Sequence, residues 1–540
     1  GQSISISAGT INNTGTLRSS GGTMTLTDLA NLTGGTVQVD TGGTLTLAGP
    51  WTNAGALTVT GGTLNLGGTF SALTTGAGTF NRAGGVGTVN LTGTFNNGGT
   101  FVFNATTGVI NLAGGNIVGG TLQKTGIGDL VMTASSTLNN VILDMDFTVT
   151  NGTQLFLAGT AFTIAATRTL HLVSTTSISD VVVAPSTGTT YTINGPGTIS
   201  FEGTGINNRI FTNSGSTLTL PANLAFTGTG NAQFFNFTTL NNQTTIQSTG
   251  TGQSISISAG TINNTGTLRA TGGSTMTVTG LASNAGTIDI GALSTFSTNN
   301  LALTNAITGF ISGSGTLKLG TVGATRILTN NGTIQPGGAL ATGTLTITGD
   351  LVMGATGTVQ VEIQSLTLFD KIAVSGTATL GGTLSVAHLG GFTPTGSPTF
   401  QFMTFASRTG DFANFAAPPG FNYPGTPGTT TYIITGQAAP PNVWVLTISG
   451  DWNVAANWSL NHVPTAGEDV VINITGVTIT IATAGMVARS LTSFDNVIIA
   501  AGGTLTLANS SSSITGTVIL TNNGTLTTTG PLSVSNLALS

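Results

Sequence analysis

The sequence predicts an all-β chain, an elongated parallel β-solenoid, on three observations. A pattern of the form Asn-x-Gly-x-apolar recurs at Asn13, Asn53, Asn97, Asn264, Asn284, Asn330 and Asn522, each time opening a short strand. Apolar residues fall at every second position, as in Leu45 and Leu47, Leu57 and Val59, Leu64 and Leu66, Phe101 and Phe103, and Leu345 and Ile347. That period sends one side chain inward and the next outward along a strand. Gly1 to Arg18 reads GQSISISAGTINNTGTLR, and Gly252 to Arg269 repeats it letter for letter. A chain that cycles through corner, short strand and corner for hundreds of residues buries its apolar face only against its own neighbouring coils.

The elements follow in order. Asn and Gly at the corners are read as residues that tolerate a left-handed backbone. The Gly-Thr-Leu, Gly-Thr-Ile and Gly-Thr-Phe runs after them are strands, because Gly and Thr form helices poorly and Thr favours strands. Residues 1–358 are expected to be solenoid. At about 20 residues per coil, the 251-residue offset of the duplication is on the order of a dozen coils. Asn300-Leu301-Ala302-Leu303 returns as Asn536-Leu537-Ala538-Leu539, a second echo. Residues 359–436 are richer in Phe and Pro, with Phe400, Phe402, Phe405, Phe412 and Phe415, and read as a β end section. Residues 437–442, with Pro440 and Pro441, read as an extended linker, since adjacent prolines favour polyproline geometry. Residues 443–540 open with Trp444, Trp452 and Trp458 and return to solenoid texture by Gly502-Gly503-Thr504-Leu505. They are expected to form a junction or cap and then the start of a second solenoid unit. With coils about 4.8 Å apart, residues 1 to 440 should make a rod on the order of 100 Å long. Leu45, Leu64, Phe101 and Leu122 are expected in its interior stacks.

Composition narrows the function classes. Charged residues are 5% of the chain, against roughly 25% in ordinary globular proteins. Apolar residues reach 39%, enough to offset the entropy of ordering, so the chain is no disordered polar tract. With 11 Lys plus Arg and a net charge of −5, no basic stripe exists to neutralise phosphates, and nucleic acid is not an expected partner. Cysteine is absent, so stability must come from ladders and stacked core. No apolar run approaches the ~18 residues that span a bilayer. The strand-like runs at both termini suggest a stretch of a longer polypeptide, with open edges that would template end-to-end association.

Two passages resemble bacterial autotransporter passenger repeats. One is Gly120-Thr121-Leu122-Gln123-Lys124-Thr125-Gly126-Ile127-Gly128-Asp129-Leu130. The other runs from Asn331-Gly332-Thr333-Ile334-Gln335-Pro336-Gly337-Gly338 through Gly343-Thr344-Leu345-Thr346-Ile347-Thr348-Gly349-Asp350-Leu351 to Phe369–Leu384. The resemblance covers roughly 115–440 and implies a right-handed parallel β-helix exported to the bacterial surface. It carries no catalytic residue. Gly450-Asp451-Trp452-Asn453, Asn457-Trp458, Pro464 and Glu468-Asp469-Val470-Val471-Ile472 are similar to the openings of repeat units in very large bacterial extracellular proteins.

Chemistry-bearing residues are sparse, and no catalytic, cofactor-binding or metal-binding residue is assigned. Asp144 and Asp146 share a strand face at i, i+2 and are the closest approach to a paired-carboxylate or cation site; a solvated strand face is the preferred reading. Glu468 and Asp469 are adjacent and point opposite ways. His171, His388 and His462 lie far apart without metal-ligand spacing. No Gly-x-Ser-x-Gly elbow is present. Thr23-x-Thr25-x-Thr27, Thr44-x-Thr46 and Thr344-x-Thr346-x-Thr348 form hydroxyl ranks of the kind seen in ice-binding solenoids, but their uneven intervals argue for ordinary outward strand positions. Sequons at Asn31, Asn90, Asn104, Asn151, Asn236, Asn331 and Asn473 follow from a composition rich in Asn and Thr. Phe234, Phe235 and Phe237, or Trp452 and Trp458, have the chemistry to stack on sugars; the tryptophans are read instead as plugs for an open solenoid end. The expected function is that of a non-enzymatic extracellular protein of the bacterial surface or matrix, forming a filament or long fibre by self-association or tandem units. The alternative is an adhesin whose partners are glycans; a polysaccharide-cleaving enzyme and an ice-binding protein come last.

Overall fold

The computed structural model describes residues 2–82, 85–184, 188–205, 208–213, 215–320, 326–394, 397–508 and 511–540. They form an all-β, parallel solenoid of about 24 turns. A turn has three sides, as in Thr44–Ala48, Thr52–Asn53 and Ala56–Val59, and the next turn repeats them as Thr63–Leu66, Thr69–Phe70 and Thr79–Asn81. Strands such as Thr44–Ala48, Thr63–Leu66, Thr217–Leu220 and Thr275–Thr279 alternate buried and half-buried residues, so the period-two pattern of the sequence becomes one apolar column per inward position. Ile6, Leu26, Leu47, Leu66, Leu91, Leu112 and Met132 stack in register on one side. Leu45, Leu64 and Leu122 are fully buried, as expected, whereas Phe101 is only partly buried against the core.

The corner asparagines correct the sequence reading. Asn13, Asn53, Asn97, Asn264, Asn284 and Asn330 are buried, and only Asn522 of the seven has a positive φ, 41°. Their side chains turn inward and pair from turn to turn. Asn13 donates to Asn31 and Asn31 to Asn53, each at 2.7 Å. A longer column runs Asn242, Asn264, Asn284, Asn305 and Asn330, with amide-to-amide distances of 2.7 to 2.9 Å. At several of these corners the glycine two residues on is needed for close approach rather than for its φ. An added Cβ on Gly55 would collide with the Gly35 carbonyl, and one on Gly286 with the Gly266 carbonyl.

Uneven intervals between the threonine triplets do not disturb their register. Thr23, Thr44, Thr63 and Thr88 are direct partners on successive turns, because the surplus residues sit in the connections. The neighbouring column passes from Thr25 and Thr46 to Asn65, Asn90 and Asn111. There the asparagine amides bond one another at 2.9 and 3.0 Å.

The duplicated segment lands on a different side of the prism each time. Ile6 belongs to the column of Leu26 and Leu47. Its copy Ile257 pairs with Phe234, which pairs with Ile210 and Val181, on the side that runs back through Leu157, Leu138, Ile117 and Phe95 to Phe70. The offset of 251 residues therefore amounts to whole turns plus one side.

The first apolar core runs from Leu26 to Ile434 and the second from Trp444 to Val518. The Phe-rich section closes the first with antiparallel strands: Thr431–Thr435 pairs with both Thr399–Thr404 and Gly425–Pro427. The segment read as an extended linker is partly in strands, since Gln437–Ala438 pairs with Phe421–Asn422 and Asn442–Val443 pairs with Asp469–Ile472. Trp444, Trp452 and Trp458 are buried where the second core begins, with ring centroids 5.2 and 4.8 Å apart in edge-to-face contact.

Candidate functional site

One side of the solenoid opens between two turns. Thr79–Asn81 pairs with Ala56–Val59 below it, and Thr100–Phe103 pairs with Thr121–Lys124 above it. Among the described pairings none joins the first strand to the second. The other two sides stay closed at this level, through Thr63–Leu66 with Thr88–Leu91 and Thr69–Phe70 with Thr94–Asn96. The cause is local. The connection before Thr79 is eight residues long, 71–78, where the preceding turn needs only Ala54 and Gly55. The result is a wedge-shaped cleft of about 910 Å³.

Among the described residues, its walls carry backbone groups that no strand pairing engages. In a parallel ladder the N–H and C=O of one residue face the same neighbour, and successive residues alternate. Thr79 N donates to Gly55 O below, and Gly99 O accepts from Thr121 N above. The N–H and C=O of Phe80 on one wall, and of Thr100 and Val102 on the other, therefore face the cleft. Phe80, Phe95 and Phe101 are the rings that line it; behind them Phe95 stacks on Phe70 and Phe70 on Trp51, with centroids 5.0 and 4.3 Å apart, and Phe101 meets Phe95 and Phe103 edge-on. Phe80 and Phe95 are buried, so Phe101 alone of these rings lies half open on the cleft. Asn81, Asn96, Asn104 and Thr100 line the rim. Among the described residues no charged side chain lines it.

Arg82 closes the corner of the wedge. Its guanidinium is buried and donates to the carbonyls of Val86, Thr107, Val109 and Gly87 at 2.6 to 3.0 Å. Thr107 and Val109 belong to the turn above, so Arg82 bonds across the opening where the ladder cannot. Burial pulls its pKa below the usual arginine value, yet a guanidinium with four carbonyl acceptors remains a cation.

The residues weighed from sequence do not gather here. Asp144 accepts from Arg168 Nε at 2.9 Å and Gln123 at 2.7 Å, while Asp146 accepts from the Thr169 N–H. The Arg168 bond comes first in holding the Asp144 carboxyl below its usual pKa. The two carboxylates are thus separately engaged, and because the strand Ile142–Asp144 ends before Asp146 they do not share one strand face as expected. His171 meets Glu202 at 2.5 Å, His388 meets the Tyr423 hydroxyl at 2.5 Å, and His462 lies 3.2 Å from Glu468. No group of three or more metal-ligating side chains occurs among the described residues. Trp452, Trp458, Phe234 and Phe237 are buried and present no face to a sugar, while Phe235 stacks on Phe211 at 4.7 Å. The sequon at Asn31 is buried inside the amide column.

One acidic pair escaped sequence reasoning. Glu362 and Asp370 are both buried. Glu362 accepts from Gln335, Leu340 N and Ala341 N, and Asp370 accepts from Gly343 N and Glu362 N at 2.8 and 2.9 Å. Burial, with the Glu362 charge nearby, pushes the Asp370 carboxyl up to about 7. The pair ties the loop 337–343 to the body. No helix in the described residues is long and apolar enough to cross a membrane.

No protein-family model matches this chain, and no curated protein matches it significantly. The likeness to autotransporter passengers therefore rests on the residues quoted for it.

Proposed function

We propose that this protein is a non-enzymatic structural rod of the bacterial exterior, built from tandem solenoid units that join into a long fibre. The observation that carries the reading is the junction within the chain. A first core ends in an antiparallel cap at 399–438, and a second begins at once with the tryptophan cluster at 444–458. One unit is thus already coupled to the next through strands rather than a slack tether. The amide columns and aromatic stacks support a mechanical role, because each links a turn to its neighbour by side chains as well as backbone. Export and location at the cell surface are part of this proposal, supported by the quoted repeats.

Electron microscopy of native surface material, labelled by antibody against this chain, tests the reading. Continuous fibres decorated at regular intervals are expected. Isolated monomeric rods with free tips that bind host cells or glycans would replace the fibre with an adhesin.

A further inference from the structure

We infer that the wedge between Thr79–Asn81 and Thr100–Phe103 is a binding site for an extended, uncharged polypeptide segment, which enters as the missing rung of the ladder. The duplicated architecture shows that the opening is a departure from the pattern of the block. Counted in turns from the repeated segments Ser3–Asn13 and Ser254–Asn264, the corresponding strands of the second block are Thr333–Pro336 and Thr358–Ile363. Those two strands pair directly, Thr333 with Thr358 and Ile334 with Val359. Their connection is Asn331 and Gly332, two residues where the first block has 71–78. The same block is zipped in one copy and held open in the other.

The chemistry of the cleft selects the occupant. Its two walls offer N–H and C=O groups on the peptide repeat, those of Phe80 on one side and of Thr100 and Val102 on the other, and a strand lying between them would pair with both. The lining is free of charge, so a charged segment would lose hydration without gaining a partner. Phe101 half open on the floor gives an apolar side chain of the segment a place to pack. A saccharide is disfavoured, because Phe80 and Phe95 are buried and leave only the half-buried Phe101 among the lining rings to stack on. Arg82, bonded to Thr107 and Val109 across the corner, keeps the wedge from spreading further when it is filled.

The test uses the full chain and a capped pentapeptide, acetyl-Thr-Val-Thr-Val-Thr-amide, with binding read by calorimetry. A second peptide carries N-methyl groups on alternate residues, which keeps every side chain and removes the N–H groups along one edge. Neutral cello- and malto-oligosaccharides form a third arm. Binding of the first peptide is expected, with at least a tenfold loss on N-methylation. Thr100→Pro and Val102→Pro should each weaken it by at least tenfold, because proline removes an N–H that faces the cleft while the bonds to Thr121–Lys124 use Gly99, Phe101 and Phe103. Unchanged hydrogen exchange at Thr121–Lys124 confirms that those variants remain folded. Replacing 71–78 by an Asn-Gly connection should close the wedge and abolish binding. No binding of the parent peptide, equal binding of the N-methylated one, or displacement by an oligosaccharide would overturn the proposal.

Discussion

At the residue scale, the buried asparagines act as both donor and acceptor along the stack. Asn284 accepts from Asn264 at 2.7 Å and donates to Asn305 at 2.9 Å and to the Gly286 carbonyl at 2.8 Å. Asn284→Ala leaves a donor on Asn264 and an acceptor on Asn305 without their partner, at about 1–3 kcal/mol for each buried group that stays unsatisfied. Hydrogen exchange should quicken across 264–305 and stay unchanged near Leu45. Asn241→Ala, which removes a half-buried bond to Thr219 and an exposed one from Asn263, should have a much smaller effect. Asp370 gives a pH dependence of defined sign. Its carboxyl, raised by burial from 3.8 to about 7, holds a proton in the folded chain that the unfolded chain has already released. Its contribution is complete below about pH 4 and is lost as pH rises through 7. Thermal melts at pH 5, 6, 7 and 8 should therefore show the turns around 337–370 weakening with pH. Asp370→Asn should flatten that slope while lowering stability at pH 5, because an amide accepts from only one of the two N–H groups at its site without turning a donor toward the other.

At the element scale, burial follows the ladder more strictly than the alternation of the sequence. Leu122 and Phe101 are direct partners on adjacent turns, yet Leu122 is fully buried and Phe101 is partly open beside the wedge. Leu122→Asp should cost upwards of about 4 kcal/mol and open the turn to protease, whereas Phe101→Asp, able to hydrate its carboxylate in the cleft, should cost about 1–3 kcal/mol. Equal digestion rates for the two variants would mean that the wedge is not open to solvent. The strands were legible in the sequence because period two and the Gly-Thr pattern act within one strand. The asparagines were misread because Asn-x-Gly specifies a turn in isolation, while the amide column exists only once neighbouring turns stack. The wedge left one trace, the long interval between Phe70 and Thr79 without an Asn-x-Gly corner. A long interval has two structural outcomes, however, and the threonine ranks show the other: Thr63 and Thr88 stay in register across the same stretch.

At the scale of the whole molecule, the side on which a repeat lands depends on the accumulated length of every connection before it. This is why identical segments at Ser3–Asn13 and Ser254–Asn264 face different ways, and no local pattern reports it. The junction obeys a similar long-range logic. Arg489, in the second unit, is bonded to Asp469 through Nε at 3.0 Å and through Nη2, and its Nη1 reaches the Pro419 carbonyl of the first unit at 3.4 Å. It packs on Gly420, whose φ of 80° and lack of a Cβ leave room for the guanidinium. The Gly420 carbonyl also accepts from Ala439 N at 2.9 Å, so one glycine meets both the connecting segment and the second unit. A side chain at 420 would strain the backbone and displace Arg489. Gly420→Val should loosen the junction while leaving each core folded. Small-angle scattering would then show a broader distribution of maximum dimensions, and hydrogen exchange would rise at 437–443 but not at Leu345 or Ile479. Arg489→Lys keeps the charge but loses the planar fork, and should give a smaller change in the same direction. A scattering profile unchanged by either variant would place the rigidity of the junction in the tryptophan cluster, and Trp458→Ala would then be the substitution that bends the rod.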